Sequence, residues 1–350
     1  MLKKSAIILM AFIMLLATGC TGAKEKIDSI VNNDGVSSET APKVTYSVNP
    51  LTGLENLTEG KETDRPVAIM INNLYSSASK QNAQSVQAGL AGADIIYETE
   101  VEGGVTRLLA VYQDVSKVGK IGTVRSARYA YVDLAMGHNA IYVHHGVDPT
   151  YCKPHLKDTD PIALSENNYG FREKNGLAKE HTLYTTGEKL WNGLVNDKKK
   201  TQNTTQALWQ NFADETESLT FENSAKVITA QFSTAYKSVF KYDEKTGLYT
   251  RYFKDTERKD YFTKESTKVK NVFILKTSIT NYPDGKHRKV SLTSGDGYYC
   301  VNGTYIPIKW SKGSSKNGFK FTNTDGTPLT VNAGNSWVCI SGTKHKDIFE

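Results

Sequence analysis

Three polar clusters in the first half of the chain are of residue types that do chemistry. The densest is Glu98-Thr99-Glu100-Val101-Glu102-Gly103-Gly104-Val105-Thr106-Arg107. Alternation along a strand puts Glu98, Glu100 and Glu102 on one face. With Gly103-Gly104 as a two-residue hairpin turn, Glu102 lies opposite Val105 and Glu100 opposite Arg107. An opposite-charge cross-strand pair contributes only about 0.2–1 kcal/mol, so the row has a plain structural reading. Its chemical reading is that crowded carboxylates raise one another's pKa toward general-acid use, or hold a hard cation such as calcium. The second cluster is Val124-Arg125-Ser126-Ala127-Arg128. Ser126 has the type of a helix N-cap, which sets Arg125 just before a helix and Arg128 in its first turn. Positive charge is unfavourable there, so the two arginines call for a partner. A bound anion would serve, since free backbone N–H groups point the same way; so would Glu98 or Glu102. The third cluster is His144-His145-Gly146-Val147-Asp148-Pro149 at a strand end, with His181 further along. Adjacent strand residues face opposite sides, so one of the two histidines faces a cleft.

The ligand-binding set read from these clusters is Glu102, Arg107, Arg125, Arg128, His145 and His181. If the protein is an enzyme, Glu98, Glu102 and His145 are its acid and base candidates. Nucleophilic catalysis has little support: Ser126 lacks the Gly-x-Ser-x-Gly elbow, and no cysteine-enzyme pattern surrounds Cys152. There is no phosphate-cradling loop and no metalloprotease motif. No cysteine pair has zinc-ligand spacing, so neither a metal nor a cofactor is expected.

The elements that must position these residues follow from periodicity. Val67-Ala68-Ile69-Met70-Ile71 is a continuous apolar run, as in a strand buried on both faces. Residues 94–102 and 105–112 read as strands, 81–91 and 126–136 as helices, and 140–144 as a strand. The alternation implies an α/β layered domain over 48–224. Thr185 with Glu188 three residues on is a capping box opening a further helix, and 198–203 is an exposed loop. From residue 225 to 350 short alternating strands take over, with turn pairs Thr246-Gly247, Asp284-Gly285, Asp296-Gly297, Asn302-Gly303 and Asp325-Gly326. This second domain is expected to be mostly antiparallel β. Its aromatics Tyr298, Tyr299, Tyr305, Trp310 and Trp337 read first as packing.

The chain opens Met1-Leu2-Lys3-Lys4, continues with an apolar run to Leu16, and reaches Ala17-Thr18-Gly19-Cys20. This is the pattern of a secretory signal, too short to span a bilayer. The small residues before Cys20 resemble the lipobox of bacterial lipoproteins. Residues 1–19 are expected to be removed, and Cys20 to carry the two acyl chains that make anchoring stable. Residues 20–47 read as a polar tether. Loss of Lys3 and Lys4 takes the formal charge from +6 to +4, with basic residues scattered and no nucleic-acid signature. Of four cysteines, three remain after lipidation, an odd number that argues against a disulfide framework; Cys300 and Cys339 are left as either a pair or two free thiols.

Several segments together resemble the YerB-like lipoprotein family. They are Asn49-Pro50-Leu51-Thr52-Gly53-Leu54, Arg65-Pro66-Val67-Ala68-Ile69-Met70-Ile71-Asn72-Asn73, Ala93-Asp94-Ile95-Ile96-Tyr97-Glu98, the Val101–Leu108 block, Gly122-Thr123-Val124-Arg125-Ser126-Ala127-Arg128, and Trp310-Ser311-Lys312 with Asp325-Gly326-Thr327-Pro328-Leu329. The chain departs from the family pattern at Val147-Asp148, where the family carries a glycine and a small residue, and at Lys179-Glu180-His181-Thr182, where it carries Ala-Pro-His-Asn. The resemblance implies an exported two-domain lipoprotein and brings no established activity.

The expected protein is therefore lipid-anchored on the extracytoplasmic face of the cell membrane. It is expected to be a non-catalytic envelope module whose first domain holds an anion or partner, with cell-wall polymer or an envelope protein as the partner. The alternative is an envelope hydrolase acting on wall polymer or peptide; a metal-dependent module using His145, His181 and a glutamate is a third reading.

Overall fold

The computed structural model describes residues 45–203 and 208–350; the expected signal, Cys20 and nearly all of the tether lie outside them. Eleven strands form one mixed sheet: β1 (Val67–Asn72), β2 (Ile95–Glu100), β3 (Thr106–Tyr112), β4 (Ile141–His144), β5 (Pro161–Ala163), β6 (Asn223–Ser224), β7 (Asn271–Thr277), β8 (Ser294–Val301), β9 (Thr304–Ser311), β10 (Lys320–Asn323) and β11 (Ser336–Gly342). Their order is β5-β4-β1-β3-β2-β11-β7-β8-β9-β6, with β10 also paired to β9. The sheet does not stop where the first sequence domain ends. β11, near the C-terminus, runs parallel to both β2 and β7 and joins the two halves.

The central strands β1, β2, β3 and β11 are buried along their whole length, so both faces must be covered. On one face, Ile69, Ile96, Leu108 and Ile274 pack against Leu190 and Leu194 and against Ile228, Phe240 and Tyr249. The last three belong to an antiparallel sheet built on Val227–Gln231, Lys237–Asp243 and Leu248–Phe253. On the other face, Tyr97, Leu109, Phe273 and Val338 pack against Tyr131 and Leu134 of α1 (Tyr129–Gly137) and against Trp310 and Phe321. Two further helices, α2 (Cys152–Leu156) and α3 (Gly187–Asn196), complete the α-helical content of the described residues. Strands dominate, so the α/β layering expected over 48–224 is sparse and the protein is mainly β.

Several expectations shift when packing is added. Residues 81–91 form no α-helix; they make two short 3-10 turns, Ala83–Val86 and Leu90–Gly92, because Gln84 and Gln87 turn inward to bond the Asn73 carbonyl and side chain. α3 is capped by Thr186, whose hydroxyl accepts from the Lys189 N–H, and not by Thr185, whose hydroxyl donates to the Tyr169 carbonyl. Asp296-Gly297 lies inside β8 and is no turn. A Cβ on Gly297 would stand 2.5 Å from the Ile274 carbonyl oxygen, so the glycine serves close strand approach. Asn302-Gly303 does turn the chain between β8 and β9, with φ of 50° and 74°, the positive values a two-residue hairpin needs. Cys152, Cys300 and Cys339 are buried and unpaired. Trp337, Tyr299 and Trp310 are core residues.

Because β11 is hydrogen-bonded to strands of both halves, the two halves are expected to unfold together. Ile340→Ala is expected to lower stability by about 2–5 kcal/mol. Urea curves read from first-half and second-half probes should shift by the same amount; separate shifts would show that the shared sheet does not couple the halves.

Candidate functional site

β1, β4 and β5 are mutually parallel, and the loops beyond their C-terminal ends collect polar residues, as is usual for sites at strand ends. Asn72 closes β1, His144-His145 closes β4, and β3, antiparallel to β1, begins at the same end with Thr106-Arg107. Thr123 to Arg128 runs across this end, held by the Arg125 N–H to the Met70 carbonyl at 3.0 Å and by the His145 N–H to the Arg125 carbonyl at 3.0 Å.

The carboxylate row does not share one face. β2 ends at Glu100, and Glu102 sits in a 3-10 turn, Glu102–Gly104. The register pairs Thr99 with Arg107 and Glu100 with Thr106, one residue off the expected Glu100–Arg107 pairing. A one-residue slip exchanges sheet faces, so Glu98 and Glu100 lie opposite to Arg107. Glu98 is fully buried and saturated. Its Oε1 accepts from Asn73 Nδ2 at 3.1 Å and Thr106 Oγ1 at 2.7 Å, and its Oε2 from Ser238 Oγ at 2.8 Å and Trp337 Nε1 at 3.1 Å. Arg251 lies 3.9 Å away, over the Trp337 ring. Glu98 therefore does not reach the strand-end cleft, and its bonding is structural.

The other face brings the arginines together. α1 starts at Tyr129 with Arg128 as its N-cap and no side-chain cap, so Ser126 and Arg125 stand ahead of the helix. Arg128 Nε bonds Glu102 Oε1 at 2.5 Å. Arg107 is buried, donates to the Ser126 carbonyl at 2.5 Å, and has no carboxylate partner among the described residues. Burial first, then repulsion from Arg128 and Arg125, pulls its guanidinium down to about 9 against the opposing pull of Glu102. Arg125 meets Glu180 at 3.6 Å. Burial lowers its pKa, Glu180 works the other way, and Arg128 lowers it further.

The histidines are oriented by single bonds. His145 Nδ1 lies 2.7 Å from the Leu164 carbonyl, so Nδ1 carries a proton. His181 Nδ1 is 2.7 Å from Asn72 Nδ2 and its Nε2 is 3.5 Å from Glu180. Burial and Arg125 lower its pKa, favouring the neutral form. His144 Nδ1 faces the Gly146 carbonyl at 2.8 Å.

Asp148, named in the third cluster but not in the ligand-binding set, takes part, and three further participants escaped the sequence reading: Tyr282, His287 and Arg288. The last three ride on the hairpin Ile279–Asn281/Arg288–Val290 from the second half. His287 lies 3.3 Å from Asp148, 3.6 Å from Glu102 and 2.5 Å from Asp284. Arg288 pairs with Glu100 at 2.6 Å, and Tyr282 stacks on Tyr151 at 4.1 Å. The Asp284-Gly285 turn followed by Lys286-His287-Arg288-Lys289 was the available signal. The cavity enclosed by Glu100, Glu102, Arg128, Asp148 and His287 is about 20 Å³, room for about one water. Glu102 and Arg128 thus satisfy each other there.

Two outcomes follow from this geometry. Glu98→Ala strands the buried Arg251 and is expected to cost about 3–5 kcal/mol, read by urea denaturation; a loss below 1 kcal/mol would show that the bonds to Glu98 are dispensable. The hairpin should also loosen in acid. Hydrogen bonds from His287 and the Lys286 N–H hold Asp284 down to about 2. For Glu102, burial works upward, but the Arg128 bond and charge outweigh it and its pKa is lowered. For Asp148 the N–H groups of Cys152, Tyr151 and Thr150 likewise outweigh burial. Depressed carboxylates stabilise fully above their unfolded values, about 4, and that contribution fades as pH falls. Hydrogen-exchange protection of 279–290 should drop between about pH 4 and 2, ahead of β1–β3; equal protection throughout would contradict it.

Residues 51–202 match the family model described as "Protein of unknown function (DUF3048) N-terminal domain", and residues 228–338 match the corresponding C-terminal domain. Over 299 residues the chain is 28% identical to "Putative lipoprotein YerB" of Bacillus subtilis (strain 168), covering 83% of this chain and 85% of that one. The crystal structure of the YerB protein from Bacillus subtilis matches with a TM-score of 0.69 at 28% identity, over 83% of this chain and 95% of that one. The chain belongs to the DUF3048 family, carries both of its domains, and is a homologue of YerB.

Proposed function

We propose that this protein is a lipoprotein anchored through Cys20 to the outer face of the cell membrane, where it binds an anionic group of a wall polymer or envelope partner at Arg107 and Arg125. The likeness to a protein named as a lipoprotein and the lipobox-like Ala17-Thr18-Gly19-Cys20 support the anchor. The observation that carries the binding reading is the charge count at the strand ends. Three arginines that act on one another through space meet two carboxylates, Glu102 and Glu180, and Arg107 is left buried without one. A buried cation that no carboxylate pairs with directly is costly, and an anion arriving beside Arg107 and Arg125 reduces that cost. Glu180, exposed and 3.6 Å from Arg125, is weakly held and displaceable. His145 and His181 add hydrogen-bonding groups.

The test uses the compact unit Val44–Glu350 and purified cell wall, assaying bound protein and released fragments together. Binding without release is expected. It should weaken with salt and fall about tenfold or more on Arg125→Ala. Binding indifferent to Arg125→Ala would overturn the arginine site. Fragment release abolished by His145→Ala would replace binding with hydrolysis. Cys20→Ala in the full chain should move the protein from the membrane fraction to the soluble fraction.

A further inference from the structure

The hairpin Ile279–Asn281/Arg288–Val290 also borders a second cavity, of about 470 Å³, within the range of small-ligand sites. Its lining includes Lys289, Lys312, the carboxylate Asp133 and hydroxyl residues such as Ser278, Thr280 and Ser314. Lys312 is 4% exposed. Its ammonium donates to the carbonyls of Ser314 at 2.9 Å and Ser315 at 2.6 Å. No carboxylate of the described residues pairs with it. Asp133, which acts on it through space, is engaged by His155 at 2.6 Å. Burial pulls the Lys312 ammonium down to about 8. The C-terminal end of α1 offsets part of this cost, since a Cβ on Gly137 would stand 3.3 Å from Lys312 Cε.

We propose that this cavity binds a phosphorylated sugar, its phosphate between Lys312 and Lys289 and its hydroxyls on the serine and threonine side chains. Two ammonium groups suit a phosphate as point charges. The hydroxyl-bearing wall, with only Val290 and Leu292 as large apolar members, suits a polyol better than a flat base. The site is distinct from the arginines: Arg128 caps one end of the nine-residue α1 and Lys312 lies against the other, a helix length of about 13 Å.

The measurement is calorimetric titration of the compact unit Val44–Glu350 with glucose 6-phosphate, and with glucose as the uncharged control. Glucose 6-phosphate should bind and glucose should bind at least tenfold more weakly. Lys289→Ala, on the exposed rim, and Lys312→Met, which keeps the buried stem, should each weaken glucose 6-phosphate about tenfold or more. Arg125→Ala should leave it unchanged. No binding of glucose 6-phosphate, or binding unaltered by Lys289→Ala, would overturn the site even where Lys312→Met fails to fold. Loss on Arg125→Ala would overturn it too, by assigning the phosphate to the arginines.

Discussion

Glu98 is a carboxylate removed from water at the point where four segments meet. Asn73 follows β1, Thr106 opens β3, Ser238 belongs to the antiparallel layer over the sheet, and Trp337 comes from β11; each donates to it. A charged oxygen pair inside a protein tolerates no missing donor, so all four segments must arrive in register before any of them is stable. The strand-end site inherits its geometry from this. The same register of β2 against β3 that turns Glu98 toward Ser238 turns Arg107 to the opposite face, where Tyr131 of α1 bonds the Arg107 carbonyl.

The two faces of β2 and β3 thus carry opposite policies for charge. On the Glu98 face both oxygens of Glu98 are matched, and Glu100 pairs with Arg288. On the arginine face matching is incomplete: Glu102 is bonded to Arg128, with His287 behind it, while Arg107 is hydrogen-bonded to a carbonyl and feels Glu102 only through space. Matching is thus incomplete at the mouth of the sheet and complete around Glu98 within it. The contribution of the second half is to close one side through His287 and Arg288, so the region is shaped by both sequence domains.

Much of this was legible in the residues. The Val67–Ile71 run, the strand before His144 and the Asn302-Gly303 and Asp284-Gly285 turns are local signals, and the chain obeys them. Arg125 and Arg128 were readable as neighbours of one loop, whereas the approach of His181 to Arg125 was not, since no local pattern links them. What was not legible depended on distant partners. Residues 81–91 have a helical look, yet Gln84 and Gln87 are drawn inward by Asn73. The Gly103-Gly104 turn looked like a two-residue hairpin, and the 3-10 geometry of Glu102 shifted the register by one. No local pattern tells that Trp337 will bond Glu98, or that His287 will meet Asp148.

The hydrogen bond from Thr99 to the Ile340 carbonyl closes a loop of 241 residues. The strand in the middle of the sheet is thus made after both of its neighbours. Until it arrives, β2 and β7 are two open edges with unpaired N–H and carbonyl groups, and the contacts they await are slow to form because of their sequence separation. Pairing at the centre of the sheet therefore waits on a strand that follows both of its neighbours in the chain.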